Sequence, residues 1–179
     1  ALARPVVSFS FDDAPRSAFS VGGRILRDHG ACGTFYVSLG LLSQTTEIGL
    51  MGGAEDLAAA VQDGHEVGCH TFGHVDAWEL PTKAYLDSVD ENGRRLAELL
   101  PGKKFRTFAY PKNGATWAVK SPLAGRFDAC RGGGQVPNLG SVDLNLLRAC
   151  FLDRRAGLQE DTVRGLIERT CDAGGWLIF

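Results

Sequence analysis

Apolar residues come along this chain in two alternating rhythms. Short runs rich in Val, Ile, Phe and Tyr are separated by stretches whose apolar positions recur at three and four residues. The first kind spans Pro5 to Phe11, Gly33 to Val37, His65 to His70, Phe105 to Tyr110, Phe127 to Arg131, Leu147 to Leu152 and Trp176 to Phe179. The second is plainest in Phe19, Gly22, Ile25, Leu26 and His29, in Leu86, Val89, Leu96 and Leu100, and in Val163, Leu166, Ile167 and Thr170; a shorter helix is expected over Glu55 to Asp63. Gly30, Gly64 and Gly174-Gly175 stand where helices would stop, and Pro81-Thr82 where one would start. A brief helical stretch is expected near Ala115 to Ala124, an irregular surface loop over Leu39 to Gly53, and a polar loop from Gly132-Gly133-Gly134. Such alternation predicts βα units around a parallel sheet. Seven units in one domain point to an α/β barrel, incomplete at its C-terminal end, rather than an open doubly wound sheet.

Composition narrows the function more than the fold. With 179 residues and 44% hydrophobic content, one domain over residues 1–179 can fill its own core. The formal net charge is −2 and no Lys/Arg run occurs, which argues against nucleic acid or an anionic membrane as partner and favours neutral substrates. No apolar run approaches the length of a membrane span. The five cysteines, Cys32, Cys69, Cys130, Cys150 and Cys171, include no Cys-x-x-Cys pair and are expected to be buried, reduced thiols. That favours a reducing, cytoplasmic compartment. Ala1 to Pro5 show no signal-peptide pattern, although the missing initiator Met leaves room for a removed leader.

Candidate chemistry gathers at the ends of the β-rich runs, where parallel sheets build their active sites. The first run ends in Asp12 and Asp13 followed by Ala14-Pro15. Neighbours in a strand point to opposite faces, so the two carboxylates divide their work, one on a metal and the other on a proton. The third run ends in His70 and, four residues on, His74, a spacing that on a helical turn puts both imidazoles on one face. Two histidines and one carboxylate make a facial site with positions left for water, as catalytic metals need. The fourth run ends in Tyr110-Pro111-Lys112-Asn113-Gly114, a tight turn whose backbone N–H groups can face a reacting carbonyl. Trp78 and Trp117 fall in rim loops and could stack on sugar rings, half-burial being the commoner state of such aromatics. His29 and His65 read as structural, and Cys69 should turn away from the ligand face.

These three clusters together resemble the polysaccharide deacetylase family, carbohydrate esterase family 4. Ser10-Phe11-Asp12-Asp13-Ala14-Pro15 is similar to its Thr-Phe-Asp-Asp-Gly-Pro motif, and His70-Thr71-Phe72-Gly73-His74 to its His-[Ser/Thr]-x-x-His motif. Phe108 to Gly114 resembles the Phe-Ala-Tyr-Pro-x-Gly variant of its third motif. The resemblance implies a distorted (β/α) barrel, with Asp12 as general base and Asp13, His70 and His74 as ligands of a divalent metal, commonly zinc. It implies removal of N-acetyl groups from an acetylated carbohydrate, with a backbone N–H near Lys112 or Asn113 facing the oxyanion. Two alternatives of the same architecture are a C–N hydrolase of a small non-sugar amide and a metal-retaining carbohydrate-binding pseudoenzyme.

Three departures set further expectations. Ala14 replaces the usual Gly, at a cost of about 1 kcal/mol if φ is positive there. Ala109 stands where many members carry the Arg that orients the aspartate base, and Arg148 is the candidate substitute. No His follows Trp176 to Phe179, where the family has one that protonates the leaving amine, so the chain is expected to be truncated.

Overall fold

Eight strands and five α-helices make up the structure, a computed structural model that describes residues 4–152 and 159–179. In chain order the strands are β1 (Val6–Phe11), β2 (Gly33–Val37), β3 (Thr45–Thr46), β4 (Gly49–Leu50), β5 (Glu66–Cys69), β6 (Thr107–Ala109), β7 (Ala129–Arg131) and β8 (Trp176–Ile178). The helices are α1 (Arg24–Asp28), α2 (Ala54–Gln62), α3 (Thr82–Leu99), α4 (Trp117–Ala124) and α5 (Glu160–Asp172). Six strands form one parallel sheet in the order β7-β6-β5-β2-β1-β8, curled into a distorted barrel. β3 and β4 form a separate two-residue antiparallel pair inside the segment expected to be an irregular loop.

The two faces of the sheet separate with the period of the strand. Phe35, Val37, Val67, Cys69, Phe108 and Cys130 point to the helices and are buried in one core with Leu57 of α2 and Tyr85, Val89 and Leu96 of α3. Phe35 is sandwiched between Phe11 and Phe19, with ring centroids 4.8 and 4.5 Å away. Each fully buried ring or aliphatic chain of this kind contributes roughly 1.5–3 kcal/mol. The opposite face is polar: Thr34 and Thr107 donate to the two carboxylate oxygens of Glu66 at 2.9 and 2.8 Å. Above that rung Tyr36 lies over Gly68, where a β-carbon would come within 2.5 Å of its ring.

Gly30, Gly64 and Gly174 end α1, α2 and α5 with φ of 67°, 84° and 63°, the left-handed stop that Gly adopts without steric cost. The expected first helix is instead a π-helical turn over Ala18–Gly23 leading into α1. Gly22 and Gly23 sit where β-carbons would press on Phe11 and Phe35, so the wide turn wraps the aromatic stack. Asn92, buried at the middle of α3, ties that helix to the sheet. It accepts from Leu39 N–H at 2.9 Å and donates to the Val37 carbonyl at 2.9 Å and to Cys69 Sγ at 3.3 Å.

The sixth of the seven expected strands does not form. Residues 147–152 are extended, but Leu147 pairs with Cys130 of β7 while Cys150 already donates to Ile178 of β8, at 2.9 and 2.8 Å. A segment crossing from one sheet edge to the other cannot build a ladder on either, so only an isolated bridge to Arg131 results. The crossing segment nevertheless closes the barrel between its edge strands. The cysteines also depart from expectation: all five are free thiols, but Cys32 and Cys171 are exposed. Among the described residues no helix is long and apolar enough to cross a membrane.

Candidate active site

The candidate residues of the first and third runs meet at the C-terminal rim of the sheet. β1 runs out at Phe11, and the chain turns through Asp13 and Ala14 with φ of 59° and 51°. This left-handed turn, rather than strand alternation, sends the two carboxylates to different partners. Asp13 Oδ1 lies 3.6 Å from His70 Nε2 and 3.1 Å from His74 Nε2. Asp12 instead accepts a hydrogen bond from Arg131 Nη2. Ala14 is buried with the positive φ that Gly would adopt more readily, so the strain anticipated for its methyl is present.

His70 and His74 do not share a helix. Thr71 and His74 adopt φ of 61° and 53°, and the two rings converge across this tight turn with centroids 5.0 Å apart. The turn is held by Thr71 Oγ1, which accepts from Val75 N–H at 3.0 Å, and by Phe72 N–H, which donates to Ser88 Oγ at 3.0 Å. Clustered left-handed residues cost energy and persist where the surrounding structure imposes them, commonly at functional sites.

The donor set fits a divalent metal. His70 Nδ1 is 2.8 Å from the Ala109 carbonyl, which only accepts, so Nδ1 carries the proton and Nε2 presents its lone pair towards Asp13. Burial pushes the His70 imidazole below its usual value, against the opposing pull of Asp12 and Asp13, which favours the neutral form that ligates. The candidate ligand atoms of Asp13, His70 and His74 all lie within 4.8 Å of one another. Tetrahedral ligands about 2.0–2.2 Å from zinc stand about 3.3–3.6 Å apart, close to the two spacings between Asp13 and the imidazoles.

Arg131, the last residue of β7, is the guanidinium that meets Asp12; Arg148 is not. Arg131 is 4% exposed, and its guanidinium carbon lies 4.9 Å from the centre of the Tyr36 ring. It is the register partner of Ala109 on β6, so the positive charge has moved one strand along from the place where the third motif usually carries it. Burial, only partly offset by Arg131, raises the Tyr36 phenol to about 12 and keeps it neutral beneath that charge. Neither Arg131 nor Tyr36 was singled out from the sequence. The usable signal was position alone, since Arg131 ends the fifth β-rich run at the same rim as Asp12. Arg148 is held elsewhere, its carbonyl accepting from Asn138 Nδ2 at 2.8 Å and its N–H donating to Asn138 Oδ1 at 2.9 Å.

The turn after β6 reaches the rim as a single 3₁₀ turn over Pro111–Asn113, with Lys112 and Asn113 left-handed at φ 53° and 59°. Tyr110 anchors it, donating from its N–H to the Arg131 carbonyl at 2.9 Å and from its hydroxyl to the Asn145 carbonyl at 3.1 Å. The Asn113 N–H is taken by the Tyr110 carbonyl at 3.0 Å. Of the two backbone donors expected here, Lys112 N–H alone lacks a backbone acceptor among the described residues. The Lys112 ammonium turns outward to Glu79, 3.0 Å away. His29 and His65 are structural as expected: His29 Nδ1 lies 2.9 Å from the Ile25 carbonyl, and His65 Nδ1 accepts from Gly33 N–H at 3.1 Å.

A model of the polysaccharide deacetylase family matches residues 1–121, and the chain belongs to that family. Among solved structures it is similar to IcaB from Ammonifex degensii, with a TM-score of 0.72 at 21% identity over 90% of this chain and 71% of that one. It is also similar to the Streptococcus pyogenes deacetylase PplD in complex with acetate, with a TM-score of 0.73 at 18% identity, covering 90% and 70%. A CE4 family pseudoenzyme from Bacillus anthracis aligns over 100% of this chain and 56% of its own, with a TM-score of 0.66 at 15% identity. At such identities the likeness is one of fold. No curated protein matches the chain.

Proposed function

We propose that the protein is a metal-dependent hydrolase that removes N-acetyl groups from amino-sugar oligomers or polysaccharides, of the chitin, peptidoglycan or exopolysaccharide type. The observation that carries this reading is the split of the adjacent carboxylates, Asp13 beside two imidazoles and Asp12 on a buried guanidinium. Asp13, His70 and His74 would hold the divalent ion, for which zinc is the proposed metal. When bound, such an ion lowers the pKa of water and polarises a carbonyl. Asp12 takes the proton of the attacking water as its oxygen adds to the acetyl carbon, and Arg131 holds that carboxylate in place. Lys112 N–H is the backbone donor left for the oxygen that becomes negative. The C–N bond then breaks, and the proton held by Asp12 can return to the departing amine, leaving acetate and a free amino sugar.

Acetate release from N-acetylated chitooligosaccharides by the zinc-loaded protein tests this reading. Asp12→Asn should lower kcat by about 10²–10⁴ and leave zinc content unchanged. Likeness to a family pseudoenzyme favours a second reading, a protein that binds glycans without cleaving them. Glycan binding with no acetate release would select it. Acetate from small acetamides but from no glycan would select a non-sugar amide hydrolase.

A further inference from the structure

Between α1 and α2, on the helical face of the sheet, lies a cavity of about 190 Å³ that shares no residue with the rim site. His65 lines it, and only half of that imidazole has a partner. Nδ1 accepts from Gly33 N–H at 3.1 Å, so the proton of the neutral ring sits on Nε2. Nε2 is buried without a hydrogen-bond partner, in a residue only 6% exposed. A buried N–H in this state costs free energy that an acceptor would recover. The neighbouring backbone leaves space for one. Gly23, in the π-helical turn, has φ of −59°, which any residue can adopt, so conformation does not call for glycine there. A β-carbon at Gly23 would stand 3.4 Å from both His65 Nε2 and the Phe35 ring, in the cavity wall.

Charge on the wall decides what that acceptor is. Asp63 is taken by Arg27 at 2.6 Å, and Asp56 by Gly53 N–H at 2.9 Å and Arg16 at 3.6 Å. Arg24, also on the wall, pairs with no carboxylate among the described residues. Three arginines therefore meet two aspartates, and the cation left over shares the cavity with the Ser20 hydroxyl and the unpaired imidazole N–H. A guanidinium fork and an N–H donor match the oxygens of a carboxylate or phosphate. A volume below the roughly 300–1,000 Å³ of drug-sized ligand sites suits a ligand of a few heavy atoms.

We infer that this cavity is a site for one small oxyanion, a carboxylate or a phosphate, held by His65 Nε2–H and Arg24 and joining α1 to α2. Histidine side-chain NMR spectra of the zinc-loaded protein test it, because the chain has only four histidines to resolve. Sodium phosphate and, separately, sodium acetate are titrated at constant pH, with sodium chloride holding the ionic strength. The His65 Nε2–H signal should shift and saturate with one of the two anions, at a Kd of about 1 mM or tighter. Saturation by acetate assigns the site to carboxylates, and saturation by phosphate to phosphate groups. Arg24→Ala, at an exposed position, should weaken that binding about tenfold and leave the anion-free Tm unchanged. A His65 signal that stays still at about 50 mM of either anion would overturn the site and leave water as the acceptor. So would an equal shift in Arg24→Ala, or anions that move His70 and His74 but not His65.

Discussion

The two sides of the barrel are built by different means. On the β1–β2–β5 side the strands keep continuous parallel register, from Phe9 opposite Gly33 to Val37 opposite Cys69. This side holds the proposed ligands Asp13, His70 and His74. On the β7–β8 side no ladder among the described residues joins the edge strands, and a crossing segment hydrogen-bonds to one and then the other. This side supplies Arg131 and, within residues 132–151, most of the lining of a large cavity. The regular side brings a compact donor set together, whereas the irregular side leaves that cavity, of about 690 Å³.

The comparison breaks most decisively at the ligands. His70→Ala should reduce bound zinc, measured by elemental analysis after dialysis, from one per chain to background and abolish acetate release. At the seam, Arg131→Ala should keep the zinc and lower kcat by about 10²-fold, because Asp12 loses the group that orients it. Arg148→Ala should cost at least tenfold less kcat than Arg131→Ala; equal losses would return Arg148 to the role first expected of it.

The regular side should also dominate stability. Asn92→Ala leaves the buried Leu39 N–H and Val37 carbonyl without their side-chain partner, and should cost about 2–4 kcal/mol in urea unfolding. A change below about 1 kcal/mol would mean that water replaces the amide. The smallest effect is chemical. Burial raises the Cys69 thiol to about 12, so iodoacetamide should label Cys32 and Cys171 in the native protein and spare Cys69 until it unfolds. Rapid labelling of Cys69 would show that the β2–β5 region opens readily.

Local pattern was sufficient where the structure is local. Asp12-Asp13 and His70–His74 could be picked out because each pair lies within one turn of chain, and the glycine stops of α1, α2 and α5 because left-handed φ favours one residue type. The same reading placed the polysaccharide deacetylase motifs and the parallel βα order. It went astray over Leu147 to Leu152, whose composition suits a strand but whose partners lie on two different edges. It also chose Arg148, which stands in that expected strand, whereas the arginine that meets Asp12 ends β7.

What the chain order alone determined, then, is the inventory of chemistry: two unequal carboxylates, two imidazoles and a tight turn, each carried to a rim by the strand before it. Folding decided their partners. The left-handed turn at Asp13 separates the carboxylates, the Ala109 carbonyl selects the His70 tautomer, and the β6–β7 register brings Arg131 over Tyr36 to Asp12. Those contacts join residues up to 119 positions apart, and a separation along the chain carries no distance until the sheet has closed.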